Sequence, residues 1–107
     1  MSLDGLRQAL MLSLAARDAA LAGDLDQVDA LLDARTPYLN VRGLPASDTD
    51  SARAILTQIQ RLDTDTEDAL LRLRRVLEEE RAELRRAAHL RAAYRPRLVS
   101  SHLDRRG

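Results

Sequence analysis

The segment of residues 47–95 in this chain contains neither glycine nor proline: SDTDSARAILTQIQRLDTDTEDALLRLRRVLEEERAELRRAAHLRAAYR. It opens with Ser47-Asp48-Thr49-Asp50, an N-capping signal that places acidic residues in the first turn of a helix. The segment predicts one helix from about Asp48 to Ala93, which at 1.5 Å per residue is about 65–70 Å long. Pro96 follows and is expected to end the helix, because proline lacks the backbone N–H that a helix interior needs.

Apolar residues recur along this segment in alternating steps of four and three, which is the spacing of a coiled-coil seam. The stripe consists of Ile55, Ile59, Leu62, Thr66, Ala69, Leu73 and Val76. Farther on, the predicted seam moves to Leu70, Leu77, Leu84, Ala88 and Arg91. Oppositely charged residues four apart are expected to support an exposed helix, each by about 0.2–0.5 kcal/mol. These pairs are Arg61/Asp65, Asp68/Arg72, Arg74/Glu78 and Arg75/Glu79.

The residues before this segment predict two shorter helices. The first is expected from about Leu3 to Ala22, with a helical stripe of Leu3, Leu6, Leu10, Leu14 and Leu21 flanked by Ala9, Ala16 and Ala20. Gly23 fits a left-handed C-terminal cap and Asp24 an N-cap, so the next helix should turn back antiparallel to the first. Its predicted buried face is Val28, Leu31, Leu32 and Leu39. At Pro37 either the helix kinks, or Thr36 caps a short new helix.

These elements define the expected fold class: an all-α protein with an antiparallel helical hairpin packed on one long C-terminal helix, a coiled-coil-like bundle. We expect a single helical domain over residues 1–96 and a flexible basic tail over residues 97–107. The hairpin helices, each about 25–30 Å long, cover about half of the long helix. Its other half keeps a stripe of leucine and alanine that nothing in the chain covers, and such stripes usually mark interfaces.

Composition limits the chemistry of the chain. It has no cysteine and no lysine among 107 residues, so thiolate zinc sites, disulfides and lysine-based mechanisms are excluded. His89 and His102 have no catalytic partner at a recognisable spacing, and Glu80-x-x-Glu83 is only half of a helical metal site. We therefore expect no enzyme activity, no cofactor and no metal. Zero net charge and two aromatic residues argue against nucleic acid, and no segment is apolar enough for a membrane, so a cytoplasmic location is expected.

Two groups of residues carry a resemblance to a known family. The first is Ala22-Gly23-Asp24-Leu25 followed by Val28, Leu31, Leu32 and Arg35, and the second is Leu77, Arg81, Glu83-Leu84, Ala92-Ala93 and Tyr94. Over residues 6–95 the chain resembles FliT-type flagellar export chaperones. It departs from them at Leu25, where an aromatic residue is common, at Pro37, and in a tail too short for an additional C-terminal helix. The resemblance implies a chaperone that holds a protein client before export.

Two functional hypotheses follow. In the first, an amphipathic client helix lies in an apolar groove along the uncovered stripe. Its expected contacts are Leu77, Leu84, Ala88 and Tyr94, with Arg81, Arg85 and Arg91 pairing with acidic residues of the client. In the second, the same residues form the seam of a structural homodimer that has no client.

Overall fold

The computed structural model describes the backbone of residues 3–40 and 42–106 and the side chains of residues 3–40 and 42–93. Its α-helices are α1 (Leu3–Leu21), α2 (Leu25–Arg35) and α3 (Thr49–Arg106), and 3₁₀ helices cover Thr36–Leu39 and Ala46–Asp48. The described part of the chain contains no strand, so the predicted all-α class is confirmed. The chain divides into two compact units, Met1–Leu73 and Arg74–Gly107.

The turn between α1 and α2 has the cap that the sequence predicted. Gly23 has φ of +76°, which is the left-handed region that glycine adopts without a Cβ clash. Its N–H donates to the carbonyl of Ala20 at 3.1 Å, and the N–H of Asp24 donates to the carbonyl of Ala19 at 2.9 Å. The Asp24 carboxylate then accepts from the N–H of Gln27 at 3.2 Å and caps α2. The turn therefore satisfies both helix ends and reverses the chain into an antiparallel hairpin.

The buried face of α1 is made of smaller residues than predicted. It consists of Leu6, Ala9, Ser13, Ala16 and Ala20. Leu10 and Leu14 are only half-buried at its edge, and Leu21, predicted in the stripe, is 64% exposed. Counting leucines placed the centre of the stripe one residue off, because alanine and serine allow the helix backbones to approach closely and so occupy the middle of the contact.

Residues 49–73 of α3 present the seam on which the hairpin packs. Ile59, Leu62, Thr66 and Ala69 are buried as predicted, and Ile55 and Leu73 are half-buried. The seam also includes Ala52, which lies outside the predicted stripe. A cluster of Ala20, Val28 and Ala69 joins all three α-helices of this unit, so the predicted hairpin on a long helix is confirmed.

Helix α2 ends where Pro37 enters. A 3₁₀ helix over Thr36–Leu39 carries the proline in its first turn. Of the two predicted outcomes, a kinked α2 or a new short helix, the structure has the short helix. Thr36 does not cap it: its hydroxyl donates to the carbonyl of Leu32 at 3.2 Å. Of the predicted face of α2, Val28 is buried and Leu31, Leu32 and Leu39 are half-buried.

Helix α3 begins at Thr49, one residue after the predicted start, and extends to Arg106. The predicted end near Ala93 is therefore wrong. Pro96 removes one backbone donor, but its fixed φ of about −65° is compatible with a helix, and the arginine, leucine and alanine around it are good helix formers.

Candidate protein-binding face

The unit Arg74–Gly107 contains the residues that the sequence predicted as a binding site. Leu77, Arg81, Leu84, Ala88 and Arg91 follow one another in steps of four and three, which places them on one side of α3. Arg85 lies at the edge of this side. We call these six residues the 77–91 face. All six are exposed, and Tyr94, the seventh predicted residue, has a side chain outside the described residues.

The two leucines of the 77–91 face are its large apolar side chains. Leu84 is 65% exposed and Leu77 is 43% exposed. Leu90, 60% exposed, lies six residues after Leu84, so it points to a different side of the helix. Leu84 and Leu90 are therefore leucines of similar exposure on different sides of α3, and only Leu84 belongs to the predicted site.

Residues 78–91 of the unit carry an acidic block followed by a basic block. Residues 78–83 hold four glutamates and one arginine, a net charge of −3, while residues 84–91 hold three arginines and no acidic residue, a net charge of +3 with His89 neutral. Arg74 Nε donates to Glu78 Oε1 at 3.1 Å, as predicted. Among the described side chains, the other three predicted pairs do not approach within 4 Å.

A polar contact that sequence reasoning missed ties the three α-helices of the unit Met1–Leu73. The guanidinium of Arg35, at the end of α2, binds the carboxylate of Asp63 on α3 through both oxygens, with Nη2 3.0 Å from Oδ2. The same guanidinium donates to the hydroxyl of Ser13 on α1 at 2.8 Å, and that hydroxyl donates to the carbonyl of Ala9 at 2.8 Å. Arg35 is seven residues after the buried Val28, so it lies on the apolar side of α2. A charge at such a position indicates a partner on another helix, and this was the signal in the sequence that could have predicted the contact.

Two shallow grooves lie on the unit Met1–Leu73. One, of about 260 Å³, is lined by Leu10, Leu14, Gln58, Arg61 and Leu62. The other, of about 300 Å³, is lined by Leu44, Thr49, Ala52, Arg53 and Leu56. Both linings are mainly aliphatic with one arginine each, and they include no carboxylate, imidazole or thiol that a metal ion or a proton-transfer reaction would use. Within the residues described, no group of three or more histidine, cysteine or acidic side chains is placed to hold a metal ion.

No protein-family model matches this chain, and no curated protein or solved structure matches it significantly. None of the helices in the described part of the chain combines the length and the apolar character that crossing a bilayer requires.

Proposed function

We propose that the protein is a cytoplasmic, helical protein-binding module that holds an amphipathic helix of a client protein along the 77–91 face, as flagellar export chaperones hold their clients. The exposure of Leu77 and Leu84, on one side of a helix and framed by arginines, is the observation that carries the proposal. An amphipathic helix that docks here would pack its apolar residues on the two leucines and on Ala88.

The packing of residues 74–93 supports a partner. In this segment Ala82 and Ala87 are half-buried and every other side chain is exposed. Most helical stability in proteins comes from packing of an apolar face against other elements rather than from the helix propensity of the residues. One exposed ion pair, between Arg74 and Glu78, adds only about 0.2–0.5 kcal/mol. A docked helix would supply the packing that this segment lacks.

The arginines of the face indicate the chemistry of the client. Arg81, Arg85 and Arg91 lie beside the leucines, and a guanidinium binds carboxylates through two parallel hydrogen bonds. We therefore propose a client helix whose apolar stripe is bordered by aspartate or glutamate. Arginine stems also cover apolar surface while the charged ends stay in water, so these residues can widen a narrow leucine stripe.

A matched pair of substitutions tests this proposal. A protein captured from a lysate of the source organism would be identified by mass spectrometry, and the helix it contributes would be titrated in a calorimeter. Leu84→Asp should weaken the Kd by about tenfold or more, because a charge replaces a buried apolar contact. Leu90→Asp, which changes a leucine of similar exposure on another side of α3, should leave the Kd within about twofold. Equal effects of the two variants would refute the assignment of the face.

The second candidate is a structural homodimer with no client, in which the same face pairs with its own copy. The acidic block of residues 78–83 and the basic block of residues 84–91 favour it as an alternative, because two such segments can attract each other. Light scattering combined with the capture experiment separates the two functions. A stable dimer that captures no protein supports the structural module, and a monomer that binds one client helix rules it out.

A further inference from the structure

The charges of residues 78–91 form two consecutive blocks of equal and opposite sign. The first block, residues 78–83, has a net charge of −3, and the second, residues 84–91, has a net charge of +3. Leu84 stands at the boundary between them. A helix with this pattern is complementary to a copy of itself that runs in the opposite direction, because each block then lies beside a block of the other sign.

The helix macrodipole does not account for the basic block. Cations stabilise a helix end only within its last turn. Helix α3 extends to Arg106, so Arg85 and Arg86 lie several turns from its C-terminus. Their position beside the exposed Leu84 therefore calls for another explanation, and pairing between helices provides one.

We propose that the 77–91 face of the free protein is covered by the same face of a second copy of this chain, packed antiparallel. In heptad terms Leu77 and Leu84 are d positions, and Arg81 and Ala88 are a positions. An antiparallel pair packs a against d, so Leu77 lies opposite Ala88 of the second copy and Arg81 lies opposite Leu84 of the second copy. The arginine stem packs on leucine while its guanidinium reaches water at the edge.

The charges at the edge of the seam fix the register. Glu78 and Arg85 each follow a d position, so both lie on the same edge of the face. In the register above, Glu78 lies beside Arg85 of the second copy, and the symmetry of the pair repeats this contact. Sliding one helix by a heptad in either direction brings Glu78 beside Glu78 or Arg85 beside Arg85, which like-charge repulsion disfavours.

Parallel pairing is disfavoured by the same residues. An in-register parallel pair stacks Arg81 on Arg81 and Arg91 on Arg91 within the seam, and it sets the two acidic blocks side by side. In the antiparallel register Arg81 lies opposite Leu84, so the Arg81–Arg81 contact and the contact between the two acidic blocks are removed. Arg91 lies opposite Arg74 of the second copy, so the parallel pair, which stacks Arg74, Arg81 and Arg91 each on itself, remains the more repulsive arrangement.

The absence of cysteine from the chain makes the orientation directly measurable. Leu77→Cys and Ala88→Cys would be prepared as separate proteins, mixed, and oxidised gently, and the dimers would be weighed by intact-protein mass spectrometry. Positions 77 and 88 are eleven residues apart, about 16.5 Å along a helix, whereas a disulfide joins Cα atoms within about 7 Å. Antiparallel pairing therefore joins Leu77→Cys only to Ala88→Cys, and parallel pairing joins each variant only to itself.

Glu79→Cys is the matched control. Residue 79 faces away from the 77–91 face, so this variant should cross-link with neither of the others. Position 77 is already 43% exposed and Ala88 is exposed, so neither cysteine disturbs a core, and far-ultraviolet circular dichroism would verify the helix content of each.

A dominant mixed dimer, together with a dimeric mass for the unsubstituted protein in light scattering, supports the inference. Self-linked dimers of either variant overturn it in favour of parallel pairing. A monomer, or a dimer that forms no cross-link at these positions, also overturns it. The inference uses the face of the proposed function but does not require a client: cross-linking decides the self-pairing, and the calorimetric comparison of Leu84→Asp with Leu90→Asp decides the client.

Discussion

Removing the carboxylate of Asp63 should destabilise the unit Met1–Leu73 more than breaking an exposed ion pair would. Asp63 accepts from two nitrogens of Arg35, and Arg35 also reaches Ser13, so one guanidinium holds α1, α2 and α3 together. Asp63→Asn keeps the size of the side chain but leaves the guanidinium without a counter-charge. The side chain of Arg35 is only 15% exposed, so water cannot fully replace the lost partner.

The burial of the Arg35 and Asp63 side chains sets the size of the expected loss of stability. An exposed ion pair contributes about 0.2–1 kcal/mol, and breaking a fully buried pair costs about 3–5 kcal/mol. The carboxylate of Asp63 is 39% exposed, so solvent screening lowers the second figure substantially. We expect Asp63→Asn to reduce the free energy of unfolding by about 1–2 kcal/mol, which for a domain of this size lowers Tm by about 5–15 °C.

Urea denaturation of a double-mutant cycle measures the interaction itself. The cycle comprises Asp63→Asn, Arg35→Met, which keeps much of the apolar stem, and the double variant. The losses in free energy of unfolding caused by the two single changes should not be additive in the double variant, and the coupling energy should be about 1 kcal/mol. Asp18→Asn, which breaks the exposed pair with Arg17, is the control and should change stability by less than about 0.5 kcal/mol. A coupling energy below about 0.3 kcal/mol would refute the expectation that the Arg35–Asp63 pair stabilises the unit more than an exposed pair does.

Three further predictions concern the hairpin and can be measured by the same denaturation. Val28→Ala should cost about 2 kcal/mol, because two methyl groups are removed from a site that is 2% exposed. Gly23→Ala should cost about 1–2 kcal/mol through the backbone alone, since φ is +76° and the nearest atom to an added Cβ, Cδ1 of Leu73, is 4.0 Å away; no loss would contradict the left-handed cap. Asp24→Ala should cost about 1 kcal/mol, while Asp24→Asn, which keeps a capping oxygen, should cost much less.

Local signals in the sequence predict the order of the helices and the turn between α1 and α2, but Pro96 wrongly predicted the end of α3. The Gly23-Asp24 junction predicts a cap on each side because each residue acts on its own neighbours, and the heptad stripe around Ile59 and Leu62 predicts the seam because periodicity is a property of one helix. Pro37 predicted an interruption but not its form. A 3₁₀ turn and a kink both tolerate proline, so the choice between them depends on packing that no local pattern encodes.

What could not be predicted depends on contacts between helices. Arg35 and Asp63 are 28 residues apart, and only the packed bundle brings them together. The centre of the α1 face was misplaced because the largest apolar residues were taken as its middle. The helices approach each other most closely where the side chains are small, at Ala16 and its neighbours. The 77–91 face was predicted from its spacing, from the length of the long helix beyond the hairpin and from the resemblance. Its residues are exposed, but its occupant depends on a second molecule.

The alanines at the middle of the first unit reverse the usual sensitivity of a core to substitution. Ala9, Ala16 and Ala20 are each at most 3% exposed. Trimming such a residue to glycine deletes a single methyl group, whereas lengthening it would wedge neighbouring backbones apart and cost at least about 1–3 kcal/mol. Variation during evolution should therefore enlarge the outer rim of α1 freely and leave its innermost row small, a pattern opposite to that of a leucine-filled bundle.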